Sequence, residues 1–254
     1  YTGQPSDLDE LSALAGRHKC ILIEDAAHAV GASYRDRKVG SIADLTTFSL
    51  HPVKQITTGE GGVVTTNDSE LARRLRLFRN HGITSDHRQR EQQGSWFYEM
   101  VDLGYNYRLT DFQCALGISQ LKRLSAWVRR RAEIAERYDA AFASVPEVEP
   151  LRVLSDRRSA WHLYVVKLNL DRLRVDRAEI FRVLRDRKIG VNVHYIPVHW
   201  HPYYQRLGYR KGDYPVAEAA YERILSLPLF PAMTDDDAER VIQTVSEVLA
   251  SAAK

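Results

Sequence analysis

Leu8, Leu11, Leu14 and Ala15 recur on one side of a helical stretch over residues 7–17, which runs straight into the apolar CILIE at residues 20–24. A run that short, bounded by polar residues, fits a strand buried on both faces of a parallel sheet better than a core helix. The alternation continues. DLTTFSL (44–50) and GGVVTT (61–66) read as strands. Asn67, Asp68 and Ser69 stand where a helix over 70–79 needs a cap, with Leu71, Leu75 and Phe78 on one face. Helix, strand, loop and strand in this order predict a doubly wound α/β sheet domain.

A helical pattern then spans 110–142, with Phe112, Leu116, Leu121, Leu124 and Val128 on one side and arginines opposite, including the run Arg129, Arg130 and Arg131. Such a run reads as a solvated helix face, and the whole pattern reads as one long helix bridging two domains. Beyond it, HLYVVKL (162–168) and VNVHY (191–195) read as strands and 177–188 as a helix, followed by two more helices. This predicts a small α+β domain. The expected division is 1–125 for the sheet domain and 126–254 for the bridging helix and small domain.

The 254 residues carry 44% hydrophobic and 27% charged side chains with a net charge of +3. The charge is interspersed, so it does not call for nucleic acid. Cys20 and Cys114 form no paired motif, as expected of a cytoplasmic protein. No apolar run approaches the ~18 residues that span a bilayer.

Most of the 36 basic residues are arginine, yet a lysine stands in FSLHPVKQITTGEGGVVTTND. Guanidinium stays protonated, whereas a desolvated ammonium loses its proton and attacks a carbonyl. Lys54 is therefore a candidate nucleophile. Upstream, EDAAHA places Asp25 and His28 just after the CILIE strand, at the carboxyl end, where open α/β sheets bind ligands. A carboxylate there can hold a heterocyclic cation. Ser49 offers a hydroxyl for a phosphate, and Gly59, Gly61 and Gly62 let a backbone pass close to a ligand. Taken singly, each has a plainer reading: a loop lysine, a strand-end cap, a core histidine, a tight hairpin. A Walker-type phosphate loop is excluded, because there the lysine follows the glycines.

Together EDAAHAVGA, FSLHPVKQITTGEGGVVTTND, LFRNHGI, LGYNYRLTDFQCALGISQL, HYIPVHWHPYY and LSLPLFPAMTDDD resemble the DegT/DnrJ/StrS-type sugar-nucleotide aminotransferases that depend on pyridoxal 5'-phosphate. The HPVKxITTGEGG and WFYEMVDLGYNYRLTD segments are most similar to the branch acting on a UDP-linked 4-keto-6-deoxy-N-acetylhexosamine in pseudaminic acid biosynthesis. The resemblance implies a fold type I α/β transferase and the transfer of an amino group from glutamate. It assigns Lys54 as the amine that bonds the cofactor aldehyde and then acts as base, and Asp25 as partner of the pyridine nitrogen. His28 falls at a position touching the ring, and Ser49 at a phosphate ligand. Asn106 matches a residue reaching the neighbouring subunit's phosphate, which implies a homodimer. Tyr195, His199 and Arg108 are expected to meet the sugar nucleotide. His194, His199 and His201 lack a neighbouring carboxylate or cysteine in sequence, which disfavours a metal site.

Family members carry a longer N-terminal part with a glycine-rich phosphate loop. The expectation is therefore an N-terminally incomplete sheet domain, inactive or weak in cofactor binding on its own. Competing expectations are a non-catalytic or regulatory homologue that binds the cofactor or sugar nucleotide, and a sugar dehydratase, which would carry histidine in place of Lys54. A plain interaction module leaves the joint motif spacing unexplained.

Overall fold

A computed structural model describes residues 1–254. The chain divides into two compact units, Pro5–Leu124 and Ser125–Lys254 together with Tyr1–Gln4.

The first unit is built on β1 (Ile23–Asp25), β4 (Leu45–Ser49) and β5 (Gly62–Thr65), in the order β1-β4-β5. β1 runs parallel to β4, with Asp25 opposite Thr47, and β5 runs antiparallel to β4. Between them lies a hairpin of β2 (Ser33–Tyr34) and β3 (Arg37–Lys38). Its two turn residues, Arg35 and Asp36, both have left-handed φ, the geometry that matches strand twist in a two-residue connection. Asp9 on α1 (Leu8–Arg17) receives the guanidinium groups of Arg35 and Arg37 and so ties the hairpin to the helix. α2 (Ser69–Phe78) starts as expected from its cap: Asp68 accepts from the amides of Glu70 at 2.8 Å and Leu71 at 2.9 Å. α3 (His87–Gln92) and α4 (Asp111–Leu121) complete the unit.

Two expectations change here. CILIE, expected to form a buried parallel strand, does pair in parallel with β4, but β1 begins only at Ile23, and in the residues described Ile21 is 56% and Ile23 63% exposed. The expected helix over 110–142 is two helices, α4 and α5 (Leu124–Phe142), separated at Lys122 and Arg123. Neither proline nor glycine stands at the break, so local sequence carries no signal for it. Phe112, at the start of the supposed apolar stripe, is 91% exposed.

In the second unit β6 (Val148–Pro150), β8 (Tyr164–Leu168) and β9 (Ile224–Leu227) form an antiparallel sheet in the order β6-β8-β9. The short β7 (Arg157–Arg158) lies between β6 and β8 in sequence. α5, α6 (Arg177–Asp186) and α9 (Asp235–Ala252) contribute Ile134, Tyr138, Ile180, Leu184, Val245 and Leu249 to one core with the sheet residues Val166 and Leu225. α7 (Pro202–Arg206) and α8 (Pro215–Arg223) follow the HYIPVHWHPYY segment. The expected strand at VNVHY is a single bridge, in which Asn192 and Ser226 exchange both backbone hydrogen bonds before the chain leaves the sheet. Residues 1–4 are stapled to this unit. Ala160 donates to Gly3, His162 and Leu163 donate to Thr2, and Gln4 pairs with the backbone of Arg152 and Leu154.

The arginine run is only partly solvated. Arg131 is buried, 5% exposed, and its Nη1 donates to the carbonyls of Trp161, His162 and Leu229 at 3.1, 3.3 and 2.9 Å. Burial pulls its pKa down to about 10, still above physiological pH, so the guanidinium stays charged and binds dipoles instead of an acid. Replacing Arg131 with alanine leaves these carbonyls without their donor. Urea unfolding of Arg131→Ala is expected to show a loss of about 3 kcal/mol, and Arg131→Lys a smaller loss.

Candidate active site

Parallel pairing of β1 with β4 brings two strand ends to one edge. Asp25 ends β1, and the amide of Ala26 donates to Thr47 at 2.9 Å, which continues the ladder by one bond. The Asp25 carboxylate accepts from the amide of Ala27 at 3.0 Å, an Asx-type turn that sets its direction. Ser49 ends β4, and its hydroxyl oxygen accepts from the amide of His51 at 3.3 Å.

The chain from Leu50 to Thr58 is a closed loop. At its neck the carbonyl of Leu50 accepts from the Thr58 amide at 3.0 Å and the Thr57 hydroxyl at 2.9 Å. Lys54 sits in a turn within it, its amide donating to His51. The next residue, Gln55, is 3% exposed, and its Nε2 donates to the carbonyl of His28 at 2.6 Å. This bond joins the lysine loop to the turn after Asp25. From the other side Gln120 on α4 accepts from the amide of Thr57 at 2.9 Å. Gly61 serves the loop's own packing: it has a positive φ, and a methyl group there would stand 2.6 Å from Leu109 and 2.7 Å from Thr58.

Desolvation lowers the pKa of Lys54 below that of an ordinary lysine, while the carboxylate of Asp25 pushes it back up. The two groups therefore share one electrostatic neighbourhood. A partly buried amine, a carboxylate at a strand's carboxyl end and a nearby hydroxyl form a donor set for a ligand with an aldehyde, a ring cation and an anionic group.

Asn106 and Arg108 lie on a segment docked beside the end of α2. Tyr105 and Tyr107 donate their amides to the carbonyls of Phe78 and Arg79, and their rings stack on each other at 4.9 Å, with the Phe78 ring inclined to both. Alternation puts Asn106 and Arg108 on the other side, both exposed. Arg108 donates to the side chain of Asn80 at 2.7 Å.

In the second unit, Tyr195 is 58% exposed and open to a ligand. His199 is not: it is 7% exposed, and its Nε2 meets Glu218 of α8 at 2.7 Å. The imidazole of His199, expected to meet a sugar nucleotide, is thus engaged on its Nε2 side by Glu218. Glu218 also accepts from the amide of Gly212 at 2.7 Å. Burial alone would raise its pKa, but hydrogen bonds from His199 and Gly212 outweigh this and hold it at about 2.

Gln55, Gln120, Asn80 and Glu218 went unnoticed in the sequence. Each meets a partner distant in the chain, and amide or acid side chains at such separations form no local pattern. The only available cue was that Gln55 adjoins the lysine.

Residues 1–246 match the profile of the DegT/DnrJ/EryC1/StrS aminotransferase family. Over 255 residues the chain is 45% identical to the spore coat polysaccharide biosynthesis protein SpsC of Bacillus subtilis, covering 99% of this chain and 66% of that protein. It is 39% identical over 251 residues to a UDP-4-amino-4,6-dideoxy-N-acetyl-beta-L-altrosamine transaminase of Campylobacter jejuni, covering 98% and 64%. Its structure superposes on that of Helicobacter pylori PseC, an aminotransferase involved in the biosynthesis of pseudoaminic acid, with a TM-score of 0.89 at 32% identity. That match covers 99% of this chain and 65% of the other. The chain thus spans just under two thirds of the length of these relatives.

Because Asp25 raises the pKa of Lys54, neutralising it has a definite sign. In Asp25→Asn, Lys54 is expected to titrate at lower pH than in the parent, read from the pH dependence of amine labelling at Lys54 by peptide mapping. An unchanged or higher midpoint contradicts the pairing. For Glu218 the folded pKa lies below the unfolded one. Its contribution to stability is present above about pH 4.5 and is lost as pH falls toward about 2. Acid unfolding of the parent is expected to be steeper across that window than that of Glu218→Gln.

Proposed function

Since the chain belongs to the DegT/DnrJ/EryC1/StrS aminotransferase family, we propose that it supplies the reactive lysine and carboxylate of a pyridoxal-phosphate-dependent sugar-nucleotide transaminase. Glutamate is the amino donor. The acceptor is a nucleotide-linked, UDP-type 4-keto-6-deoxy-hexosamine used in bacterial cell-surface sugar biosynthesis. The observation that supports this reading is the Gln55–His28 bond, which joins the loop of Lys54 to the turn after Asp25, within electrostatic reach of that carboxylate.

When bound, pyridoxal phosphate supplies an electron sink that stabilises the negative charge left on a carbon that has lost its proton. The chain's own residues do the rest. The Asp25 carboxylate, steered by the Ala27 amide, would keep a ring nitrogen protonated. The Lys54 amine is neutral more readily than an exposed lysine, so it would be the amine that holds the aldehyde and the base that would carry a proton to and from the substrate carbon at Nζ. Arginine could do neither. The Ser49 hydroxyl is proposed to donate to a phosphate oxygen, and His28, on the turn after Asp25, is proposed to touch the ring. Asn106, exposed and outward, is proposed to reach the phosphate of a second copy, which makes the working unit a homodimer with shared sites. Arg108 is proposed to meet the diphosphate and Tyr195 the sugar or base. The protein is proposed to work in the cytoplasm, where such sugar nucleotides are made. A non-catalytic binder would have no need of a lysine whose proton is loosened and countered by a carboxylate.

Borohydride reduction of the full-length protein with pyridoxal phosphate bound, followed by peptide mapping, is expected to find the pyridoxyl group on Lys54. An adduct on another lysine, or on none, sinks the mechanism. Asp25→Asn is expected to fold normally, by circular dichroism, and to lose about 100-fold or more in transamination rate.

A further inference from the structure

Tyr1 plays no part in the reaction as argued above, yet it is tied to the segment that carries Tyr195. The staple of residues 1–4 onto 160–163 fixes its backbone. Its phenol then donates to the carbonyl of His194, 193 residues away in sequence. His194 is held from its ring as well: Nδ1 lies 2.8 Å from the Ser226 hydroxyl on β9, and Nε2 lies 3.3 Å from the Asn192 side chain. The Tyr195 ring stands edge-on to this imidazole, with centroids 4.6 Å apart at 73°. Tyr1, Asn192 and Ser226 therefore converge on one dipeptide, whose second member is the exposed aromatic.

We propose that Tyr1 is a positioning residue: its hydroxyl, acting on the His194 carbonyl, holds Tyr195 in the orientation in which it receives the sugar nucleotide. This rests on the reading that Tyr195 contacts that substrate. The donor is secure. Burial and the neighbouring Tyr195 phenol push the pKa of Tyr1 up to about 12, so the proton is present throughout the physiological range. The hydroxyl is the part that matters, since phenylalanine would keep the ring and the staple and remove the bond to the His194 carbonyl. That bond lies where sheet pairing has already ended. Beyond Asn192 no second bridge fixes the backbone, and side chains must do so.

The test is Tyr1→Phe in the full chain. Amide hydrogen exchange over residues 193–198 is expected to quicken about fivefold while the thermal midpoint stays put. KM for the sugar nucleotide is expected to rise about fivefold, with kcat and the KM for glutamate unchanged. Unchanged exchange overturns the inference, and so does faster exchange with an unchanged KM. If the variant does not fold, Ser226→Ala loosens the same dipeptide from its ring side and is expected to give the same split; a normal KM there overturns it. A parent enzyme that turns over no nucleotide-linked keto sugar refutes the proposed function instead. The exchange difference between parent and Tyr1→Phe would then still report whether Tyr1 holds the segment.

Discussion

The parallel register of β1 and β4 is the constraint on which the candidate site depends. With Ile23 opposite Leu45 and Asp25 opposite Thr47, both strands end on the same edge, and the next residues of each chain turn over that edge. A shift of one residue would reverse the facing of every side chain on β1, Asp25 included. The hydrogen bond from Ala26 to Thr47 carries the pairing one step past the strand and fixes where the turn begins. The lysine loop is then fastened to that turn by Gln55, a buried amide whose bond to the His28 carbonyl would be costly to leave unmade.

Lys54 shows how opposing effects set a reactive group. Burial weakens its hold on a proton and Asp25 strengthens it, and desolvation is the larger effect. A fully exposed lysine would be an ordinary cation. A deeply buried one without a carboxylate would lose charge and any attraction for an anionic ligand. Partial burial beside Asp25 keeps both options within reach. In the second unit the same physics serves a structural end, where Arg131 and Glu218 are buried charges satisfied by carbonyls, amides and an imidazole.

Much of this was legible in advance. The helix after Asp68 follows from a side chain that caps its own next amides, and the strands of DLTTFSL, GGVVTT and HLYVVKL follow from runs of β-branched and aromatic residues. The division of residues 110–142 into α4 and α5 did not follow, because an amphipathic pattern reports which side is apolar and not whether the axis is continuous. The strand at VNVHY shortens to one bridge: β9 is the end strand of its sheet, the chain meets it only at Asn192–Ser226, and the following segment is held by Tyr1, Ser226 and Asn192 side chains.

The sequence by itself determined the chemistry: an amine at Lys54, a carboxylate at Asp25, a hydroxyl at Ser49, and the motifs that mark the family. Those are properties of residue type and spacing, and survive without coordinates. Only the tertiary structure decided which of the outlying residues face solvent. His199 and Tyr195 stand in one motif, yet His199 is buried with its Nε2 on Glu218, 19 positions beyond it, while Tyr195 stays exposed. Arg131 differs from Arg129 in the same way, buried against three carbonyls where its neighbour is solvated. Orientation of this kind depends on a partner supplied by a distant part of the chain, and no local pattern carries that information.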